Sequence, residues 1–503
     1  AAGRNGPDGS GARPRHFAWA ERTCSAMREA EEDPSLAEVN ALADEALAAA
    51  AWATARAPSD SARLLLSLAR LLFGSGSVRA AQDAYERAAA LTDDRGVRSE
   101  ILAEAASVAR CRDLGMEAHR LDLAALAAAR GSGDEAVLAA RLVATAETVI
   151  RFEGLFAGST RHDVAESALA ELETLTPRQT VALTGIRLLR AGGMNPGDAA
   201  ALSAAEEAVV AAELTSEAAL ISGALDGLTA TQLMVGRVAD ADATAQRRLV
   251  RLDGEPLTPG VALELKDGLH MAIFLACGTG DLARAAAAAE RHRDLPFLRE
   301  QRDVAREDLL LPYALAGRWA ELLDTAAQVY DDWVQSGRPG GAGRAIGPYA
   351  VSTVHAMLGH DDEKHRWLGV VAALRDRPLA EVGRGTGYAD VLDGLVLLHH
   401  GHPARAARLL ERRDAEGGWY QCLLSWWRAA LRAEAAVLSG ASDADAQLDE
   451  AAATCANSEV LTLVVRRAQA LAHGTTLDGL AEDLDRLDVP YQAQRTRLLN
   501  RPT

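Results

Sequence analysis

The chain has 503 residues, a formal net charge of −18 and a pI near 5.2. One compact core seldom holds so many residues, which leaves several globular domains or one linear stack of repeats. So acidic a surface repels phosphate backbones, so we expect no nucleic-acid binding. Because Arg or Glu interrupts every apolar stretch, we also expect no membrane-spanning segment.

The composition predicts an all-α chain. Ala and Leu dominate, Arg and Glu supply much of the remainder, and these are the strongest helix formers. Residues 1–15 contain Gly, Pro and Arg without apolar periodicity, so they are predicted to form a disordered tail. From His16 to about Leu499 the pattern is helical throughout.

A repeat is clearest in residues 68–91, LARLLFGSGSVRAAQDAYERAAAL. Gly76 is suited to the left-handed turn that ends a helix. Ala81, Tyr85 and Ala88 follow on one face of the next helix. Small residues at two of these positions allow two helices to approach closely, and the aromatic ring fills the gap to the next pair. This spacing resembles the tetratricopeptide pattern.

Weaker copies of the same unit recur along the chain. The successive anchors Gly236, Gly280, Gly317 and Gly359 are 44, 37 and 42 residues apart. Further copies begin at Gly401 and Gly440. The sequence therefore predicts an α-solenoid of antiparallel helix pairs, a tetratricopeptide-like right-handed superhelix. We divide this one continuous solenoid into N-terminal repeats at 16–190, middle repeats at 191–345 and C-terminal repeats at 346–503.

Motifs that would carry chemistry have a structural interpretation in each case. The glycines of 340–347 follow no strand and precede no GK[ST], so they indicate a linker between helices. His399, His400 and His402 lead into a turn and lack further metal ligands at suitable spacing. The five cysteines lie far apart and are interpreted as buried free thiols. We therefore predict no catalytic residue, no metal and no cofactor, and a protein that is not an enzyme.

Four large aromatic residues within nine positions form the strongest candidate for a binding surface. Trp419 shares a helical face with Trp426, and Tyr420 shares one with Trp427. These side chains either pack between helices or line a concave binding surface. Trp367 is a further candidate of this kind, and three weaker ones are Trp319, Tyr330 and Trp333.

Several segments carry a resemblance to a known family. They are EAHRLDLAALAAARGSGDEAVLAARLVATAETVIRFEGLFAG at 117–158, LPYALAGRWAELLDTAAQVYDDWVQSGRP at 311–339, YAVSTVHAMLGHDDEKHRWLGV at 349–370 and VPYQAQRTRLLN at 489–500. These segments resemble the tetratricopeptide-like region of large actinobacterial regulators, which join a STAND-type ATPase, a helical-repeat sensor and often a LuxR-type DNA-binding domain. The chain contains no Walker A sequence and ends shortly after 489–500, so nucleotide and DNA binding are not carried over.

What the resemblance implies is a sensor role in a cytoplasmic transcriptional or signalling regulator. We expect a concave groove that binds a protein partner or a neighbouring domain. The alternative is a small-molecule effector that binds inside the superhelix and shifts its curvature.

Overall fold

A computed structural model describes residues 12–29, 34–152, 155–156, 158–175, 180–193, 199–382, 386–411 and 420–500. This part of the chain is helical and contains no β-strand, which confirms the predicted fold class. No helix within it is both long and apolar enough to cross a bilayer.

The helices follow one another in chain order as α1 (Ala12–Arg28), α2 (Leu36–Thr54), α3 (Pro58–Gly74), α4 (Val78–Ala90), α5 (Arg95–Cys111), α6 (Gly115–Arg130), α7 (Glu135–Arg151), α8 (Gly158–Leu175), α9 (Thr180–Gly193), α10 (Ala199–Glu213), α11 (Ala218–Met234), α12 (Val238–Leu252), α13 (Pro259–Thr279), α14 (Leu282–Arg293), α15 (Arg302–Glu307), α16 (Leu310–Ala316), α17 (Trp319–Gln335), α18 (Ile346–Leu358), α19 (Asp361–Arg375), α20 (Gly387–His399), α21 (Pro403–Leu410), α22 (Tyr420–Leu423), α23 (Ser425–Ser439), α24 (Ala444–Cys455), α25 (Glu459–His473), α26 (Leu480–Arg486) and α27 (Pro490–Leu499).

The repeat unit has the structure that the sequence predicted. α3 ends before Gly76, whose φ of 91° lies in the left-handed region. Ala81, Tyr85 and Ala88 of α4 are all completely buried. The other six predicted anchor glycines also have positive φ and are Gly236, Gly280, Gly317, Gly359, Gly401 and Gly440. The glycine-punctuated helix pair is therefore confirmed as the building block.

Inner and outer helices alternate along most of the chain. α5, α7, α9, α11 and α13 each contact the next in this order, and α6, α8, α10 and α12 pack between them on the outside. The inner helices close into a ring, because α5 also packs against α13. We call α5, α7, α9, α11 and α13 the first ring.

A second ring shares α13 with the first. It consists of α13, α16, α18, α20 and α23, which contact one another in this order and close through the contact between α23 and α13. α27 lies at the end of this ring, against the C-terminal turn of α16. The solenoid thus coils tightly enough for helices far apart in sequence to pack directly.

Contacts between distant parts of the chain occur beside the first ring and within it. At Gly76, a Cβ atom would lie 2.3 Å from the carbonyl oxygen of Pro296, so only a hydrogen allows this approach. Next to this contact, Phe73 and Phe297 stack with ring centroids 5.8 Å apart. Lys266 of α13 binds the Asp113 carboxylate after α5 at 2.7 Å. The Gly76 and Phe73 contacts thus join α3 to the segment after α14, beside the first ring, and the ion pair of Lys266 holds α13 against the end of α5 within it.

The predicted segment boundaries meet the helices in different ways. α1 begins at Ala12, so the last four residues of the predicted tail are helical, and residues 1–11 lie outside the described part. The boundary after residue 345 coincides with the start of α18, whereas the boundary after residue 190 falls inside α9. The division into three groups of repeats stays a prediction.

Candidate functional site

The aromatic residues singled out in the sequence lie mainly in the interior. Trp427 is 0% exposed where α23 packs on α13, and Trp426 beside it is also buried. Trp419 lies outside the described residues, and so does the side chain of Tyr420 at the start of α22. The binding role of this group stays a prediction, and contact with a ligand through Trp426 or Trp427 would require helices to separate.

Trp367 of α19 lines a small surface cleft of about 160 Å³ with Tyr330, His355, Glu363 and Arg366 among its neighbours. Its ring meets that of Tyr330 edge-on at 6.0 Å, and the Arg366 guanidinium lies over the Tyr330 ring at 4.0 Å. The cleft is too small for a drug-sized ligand, for which about 300 Å³ or more is typical.

The other candidate aromatics also pack against the protein. Trp319 lies 5.1 Å from the Tyr491 ring, and Trp333 donates a hydrogen bond to the Pro339 carbonyl at 3.1 Å. His399 contacts Tyr491, whereas His400 and His402 are exposed in the turn that the sequence predicted. Within the described residues, no group of three or more His, Cys, Asp or Glu side chains is arranged to hold a metal ion.

Charged side chains converge instead at the centre of the first ring. We call this group the ring centre, and its members come from three inner helices and from the outer helix α12. They are Glu147 and Arg151 of α7, Ser222 and Asp226 of α11, Arg248 of α12, and Glu264 and Asp267 of α13.

The ring centre is joined by direct hydrogen bonds and ion pairs. Arg151 lies 3.0 Å from Glu264, which links α7 to α13. Ser222 donates a hydrogen bond to the same carboxylate at 2.7 Å, which links α11 to α13. Arg248, only 1% exposed, lies 2.7 Å from both Asp226 and Glu264 and 2.8 Å from Asp267. One buried guanidinium thus serves three carboxylates.

Two carboxyl groups of the ring centre have raised pKa values. Burial, together with the charge of Glu264, raises the pKa of Glu147 to about 7 against the opposing effect of Arg151. Burial also raises the pKa of Asp226 to about 6, although Arg248 pairs with it. For Asp267 the charges of Arg151 and Arg248 outweigh burial and lower the pKa. The ring centre thus holds four carboxyl groups and two guanidiniums, and two of the carboxyl groups ionise less readily than usual.

The ring centre is partly open to solvent at Asp226. The Asp226 side chain is 35% exposed, yet burial still dominates the shift of its pKa. The Asp226 carboxyl group therefore touches solvent while protein encloses most of its surroundings. On α11, a Cβ added to Gly223 would lie 3.8 Å from Glu147 Oε1, so the Glu147 carboxylate faces that helix across the ring. This arrangement can bind a positively charged group.

A neighbouring ion-pair network differs because its positive and negative charges are equal in number. Arg110 of α5 binds the buried Asp122 of α6 at 2.8 Å, and Thr148 of α7 donates a hydrogen bond to the same carboxylate at 2.6 Å. Arg110 also donates to Ser107 and Thr148. This network braces three helices with one cation and one anion, which is the pattern expected of a structural ion pair.

The residues of the ring centre were not identified from the sequence. Arg151 and Glu264 are 113 residues apart, and no local motif connects them. The available signal is Glu264 in VALELKD, a charged residue on the buried face of an apolar stretch. Lys, Glu, Arg and Asp are seldom fully buried unless they are paired, so such a position predicts a partner from another helix.

Comparisons with known proteins concern the architecture alone. No protein-family model matches the sequence, and a search of curated proteins finds no match. Among solved structures, the chain is similar to the Cut9–Hcn1 hetero-tetramer of the APC/C at 11% identity and a TM-score of 0.32, over 95% of this chain and 96% of that one.

Two further solved structures are similar at comparable identity. One is Naa15/Naa10 bound to HypK-THB, at 13% identity and a TM-score of 0.21 over 96% of this chain and 77% of that one. The other is a circular tandem repeat protein, at 12% identity and a TM-score of 0.12 over 97% of this chain and 98% of that one. Similarity at this level carries no conclusion about function, and the helical-repeat architecture rests on the helices described above.

Proposed function

We propose that this chain is a non-catalytic helical-repeat binding protein whose ring centre takes a positively charged group from a protein partner. The observation that carries the proposal is the excess of carboxyl groups over guanidiniums at a site that is partly open to solvent. Arg151 and Arg248 pair with Glu264, Asp267 and Asp226, Glu147 lies near them, and the pKa values of Glu147 and Asp226 are raised to about 7 and about 6. A nearby cation favours the ionised carboxylate, so an added positive charge would be bound favourably.

The dimensions of the ring centre favour one side chain over a whole helix. α7, α11 and α13 are already joined across it by the contacts of Arg151 and Ser222 with Glu264. An α-helix with its side chains is about 10 Å wide, which side chains in direct contact do not accommodate. A single Lys or Arg side chain of a partner would donate charge-assisted hydrogen bonds to these carboxylates, and such bonds are strong.

The wider role follows from the resemblance of 117–158, 311–339, 349–370 and 489–500. We propose that the chain is the sensor region of a larger cytoplasmic transcriptional or signalling regulator. A partner or a neighbouring domain would then bind the inner surface of the solenoid. Stacked helical repeats supply such surfaces in general, since each repeat adds to an extended concave face.

Isothermal titration calorimetry tests the ring centre. The probe is a short glycine peptide with one central arginine, and the same peptide with neutral citrulline is its control. At about pH 6.5 we expect the arginine peptide to bind and to release protons, because a cation lowers the pKa of Glu147. The measured heat of binding should therefore depend on the ionisation enthalpy of the buffer.

Asp226→Asn should weaken binding, whereas Glu255→Gln in the exposed loop after α12 should not. Equal binding of the citrulline peptide would rule out the proposal.

A small-molecule effector is the second candidate, and the closure of the first ring favours it. Because α5 packs on α13, the inner surface is bounded on every side, as ligand sites usually are. Arginine amide and spermidine carry the required charge without a protein. If either raises the melting temperature and Asp226→Asn removes the effect, while the arginine peptide fails to bind, the effector role replaces the protein partner.

A further inference from the structure

The N-terminal end of the solenoid carries a surface of different chemistry from the rest of the chain. α1 contains four arginines, Arg13, Arg15, Arg22 and Arg28, against one acid, Glu21, in a chain whose net charge is −18. All four arginines are exposed. α1 is therefore a basic helix on an acidic protein, and this contrast lies outside the ring centre.

The same helix presents the most exposed aromatic ring among those whose exposure the structure describes. Trp19 is 42% exposed. Arg15 and Arg22 lie four residues before and three residues after it, so all three side chains share one helical face. The Trp19 ring stacks on His16 at 5.8 Å, and His16 pairs with Glu45 of α2 at 2.8 Å. Trp19 is thus held in place although it faces solvent.

Other aromatic side chains join α1 to α2 on the side of the helix opposite Trp19. Phe17 of α1 and Trp52 of α2 are half-buried, with ring centroids 6.4 Å apart. The guanidinium of Arg56 lies over the Trp52 ring at 5.2 Å. We call Arg15, His16, Trp19 and Arg22 the N-terminal surface. Trp and Arg are the residues most enriched where protein–protein binding energy concentrates, and aromatic residues mark the cores of interfaces.

We propose that the N-terminal surface docks an acidic segment of a partner protein that carries one apolar side chain. The charge of α1 selects for Asp and Glu in the partner, and the apolar side chain would cover Trp19. α1 has 17 residues and is about 25 Å long, which is enough for a segment of several residues to lie along it. This surface is separate from the ring centre, and its role does not depend on what binds there.

An acidic protein segment fits better than two other occupants. An anionic bilayer is an extended plane that would also face the acidic remainder of the protein, whereas a short segment can lie along α1 alone. In a membrane-surface helix the aromatic and basic residues also lie on separate faces, whereas Trp19 lies between Arg15 and Arg22. A second copy of this chain would bring together two molecules that each carry a net charge of −18.

Fluorescence anisotropy with the full chain tests the proposal. The probe is a labelled peptide of about sixteen residues, rich in Asp and Glu with a central Leu and Phe, and long enough to span α1 if helical. Its control has Asn and Gln at the acidic positions. We expect the acidic peptide to bind and the control to bind at least about tenfold more weakly. Trp19→Ala and the double variant Arg15→Glu/Arg22→Glu should each weaken binding by at least about tenfold.

A matched variant separates this surface from overall charge. Arg237→Glu/Arg251→Glu reverses two exposed arginines, one directly before the outer helix α12 and one in its last turn, and should leave the affinity within about twofold. All substituted side chains are exposed, and circular dichroism checks that each variant folds. Peptide binding that is absent, or that is equal in the wild type and in the α1 variants, would overturn the proposal.

Two other results would replace the proposed occupant. Sedimentation of the chain with vesicles of phosphatidylcholine and phosphatidylserine, lost in Trp19→Ala and without peptide binding, would assign the surface to a membrane. Self-association seen by sedimentation velocity, lost in Arg15→Glu/Arg22→Glu and without peptide binding, would assign it to a second copy of the chain.

Discussion

Trp427 donates a hydrogen bond from its indole Nε1 to the carbonyl oxygen of Cys277 at 2.8 Å, across 150 residues of sequence. The same carbonyl accepts the backbone N–H of Gly280 at 3.1 Å, where α13 ends. Carbonyls in the last turn of a helix lack partners further along that helix. Trp427 therefore supplies a side-chain partner to the end of the helix that both rings share, and it fixes α23 to that helix.

Trp427→Phe tests the importance of this contact for the second ring. The substitution removes the N–H donor and reduces the volume of a completely buried side chain. We expect the free energy of unfolding to fall by about 1–3 kcal/mol, from the lost hydrogen bond and the space left behind. Urea denaturation followed by circular dichroism measures the change.

A non-natural side chain separates the two contributions. 3-Benzothienylalanine at position 427 keeps the shape of the ring system and lacks the N–H donor. It should lose about 1 kcal/mol, which is the usual contribution of one hydrogen bond. No loss in either variant would show that this contact does not stabilise the closure.

A buried ion triad should be the least tolerant point of the C-terminal helices. Glu434 of α23 is completely buried and accepts hydrogen bonds from Arg467 Nε at 3.0 Å and Arg495 Nε at 2.8 Å. Glu434→Gln keeps the shape but leaves two guanidiniums without a counter-charge. We expect a loss of about 3–5 kcal/mol in the free energy of unfolding.

Replacing the whole triad provides the comparison for Glu434→Gln. In the triple variant Glu434→Leu/Arg467→Met/Arg495→Met, no buried charge remains, so most of the stability should return. Against the effect of burial, Arg467 and Arg495 lower the pKa of Glu434 to about 2. The stabilising contribution of a depressed carboxylate is present above its unfolded pKa and is lost as the pH falls towards about 2. A triple variant no more stable than Glu434→Gln would contradict this account.

The helix pairs could be predicted because their signal is local. A glycine in the left-handed region ends one helix, and small residues at fixed spacing mark the next, as at Gly76, Ala81 and Ala88. Both features depend on backbone conformation and close approach within about 15 residues. All seven predicted anchors have the expected backbone conformation.

Ring closure and the ring centre could not be predicted in this way. Lys266 meets Asp113, and Arg151 meets Glu264, through packing between helices that are far apart in the sequence. The aromatic residues show the same limitation. Trp427 and Trp19 are chemically identical, yet one is buried and the other exposed, because only the tertiary packing decides which helix is covered.

Gly317→Ala should detach α27 from the second ring. Gly317 has a φ of 89°, and an added Cβ would lie 2.5 Å from the Tyr491 backbone nitrogen. Gly440→Ala is its matched control, because Gly440 has a φ of 69° and no atom lies within 4 Å of its added Cβ. Both variants should lose about 1–2 kcal/mol to backbone strain.

The difference between the two glycine variants reports the packing of α27. We expect Gly317→Ala to lose at least about 1 kcal/mol more than Gly440→Ala, since overpacking typically costs that much. Hydrogen exchange of the α27 amides should rise in Gly317→Ala and stay unchanged in Gly440→Ala. Equal losses and equal exchange would mean that α27 adjusts to the methyl group without leaving the ring.

Glu147→Gln should change how stability depends on pH. Burial and the charge of Glu264 raise the pKa of Glu147 to about 7, from an ordinary value of 4.5. The folded state therefore binds a proton more tightly than the unfolded state does, and between these two pKa values stability falls as the pH rises. The contribution is fully present below about pH 4.5 and is lost as the pH passes through about 7.

Removing the carboxyl group removes this dependence. Because one pKa unit corresponds to about 1.4 kcal/mol, Glu147→Gln should be more stable than the wild type by roughly 1–3 kcal/mol at about pH 8. The two proteins should differ little at about pH 4.5, where Glu147 is protonated in the folded state. Urea denaturation at several pH values measures both curves, and Glu135→Gln at the start of α7 is the control. A constant difference at every pH would show that Glu147 has an ordinary pKa, and the ring centre would then hold no surplus negative charge for a cation to neutralise.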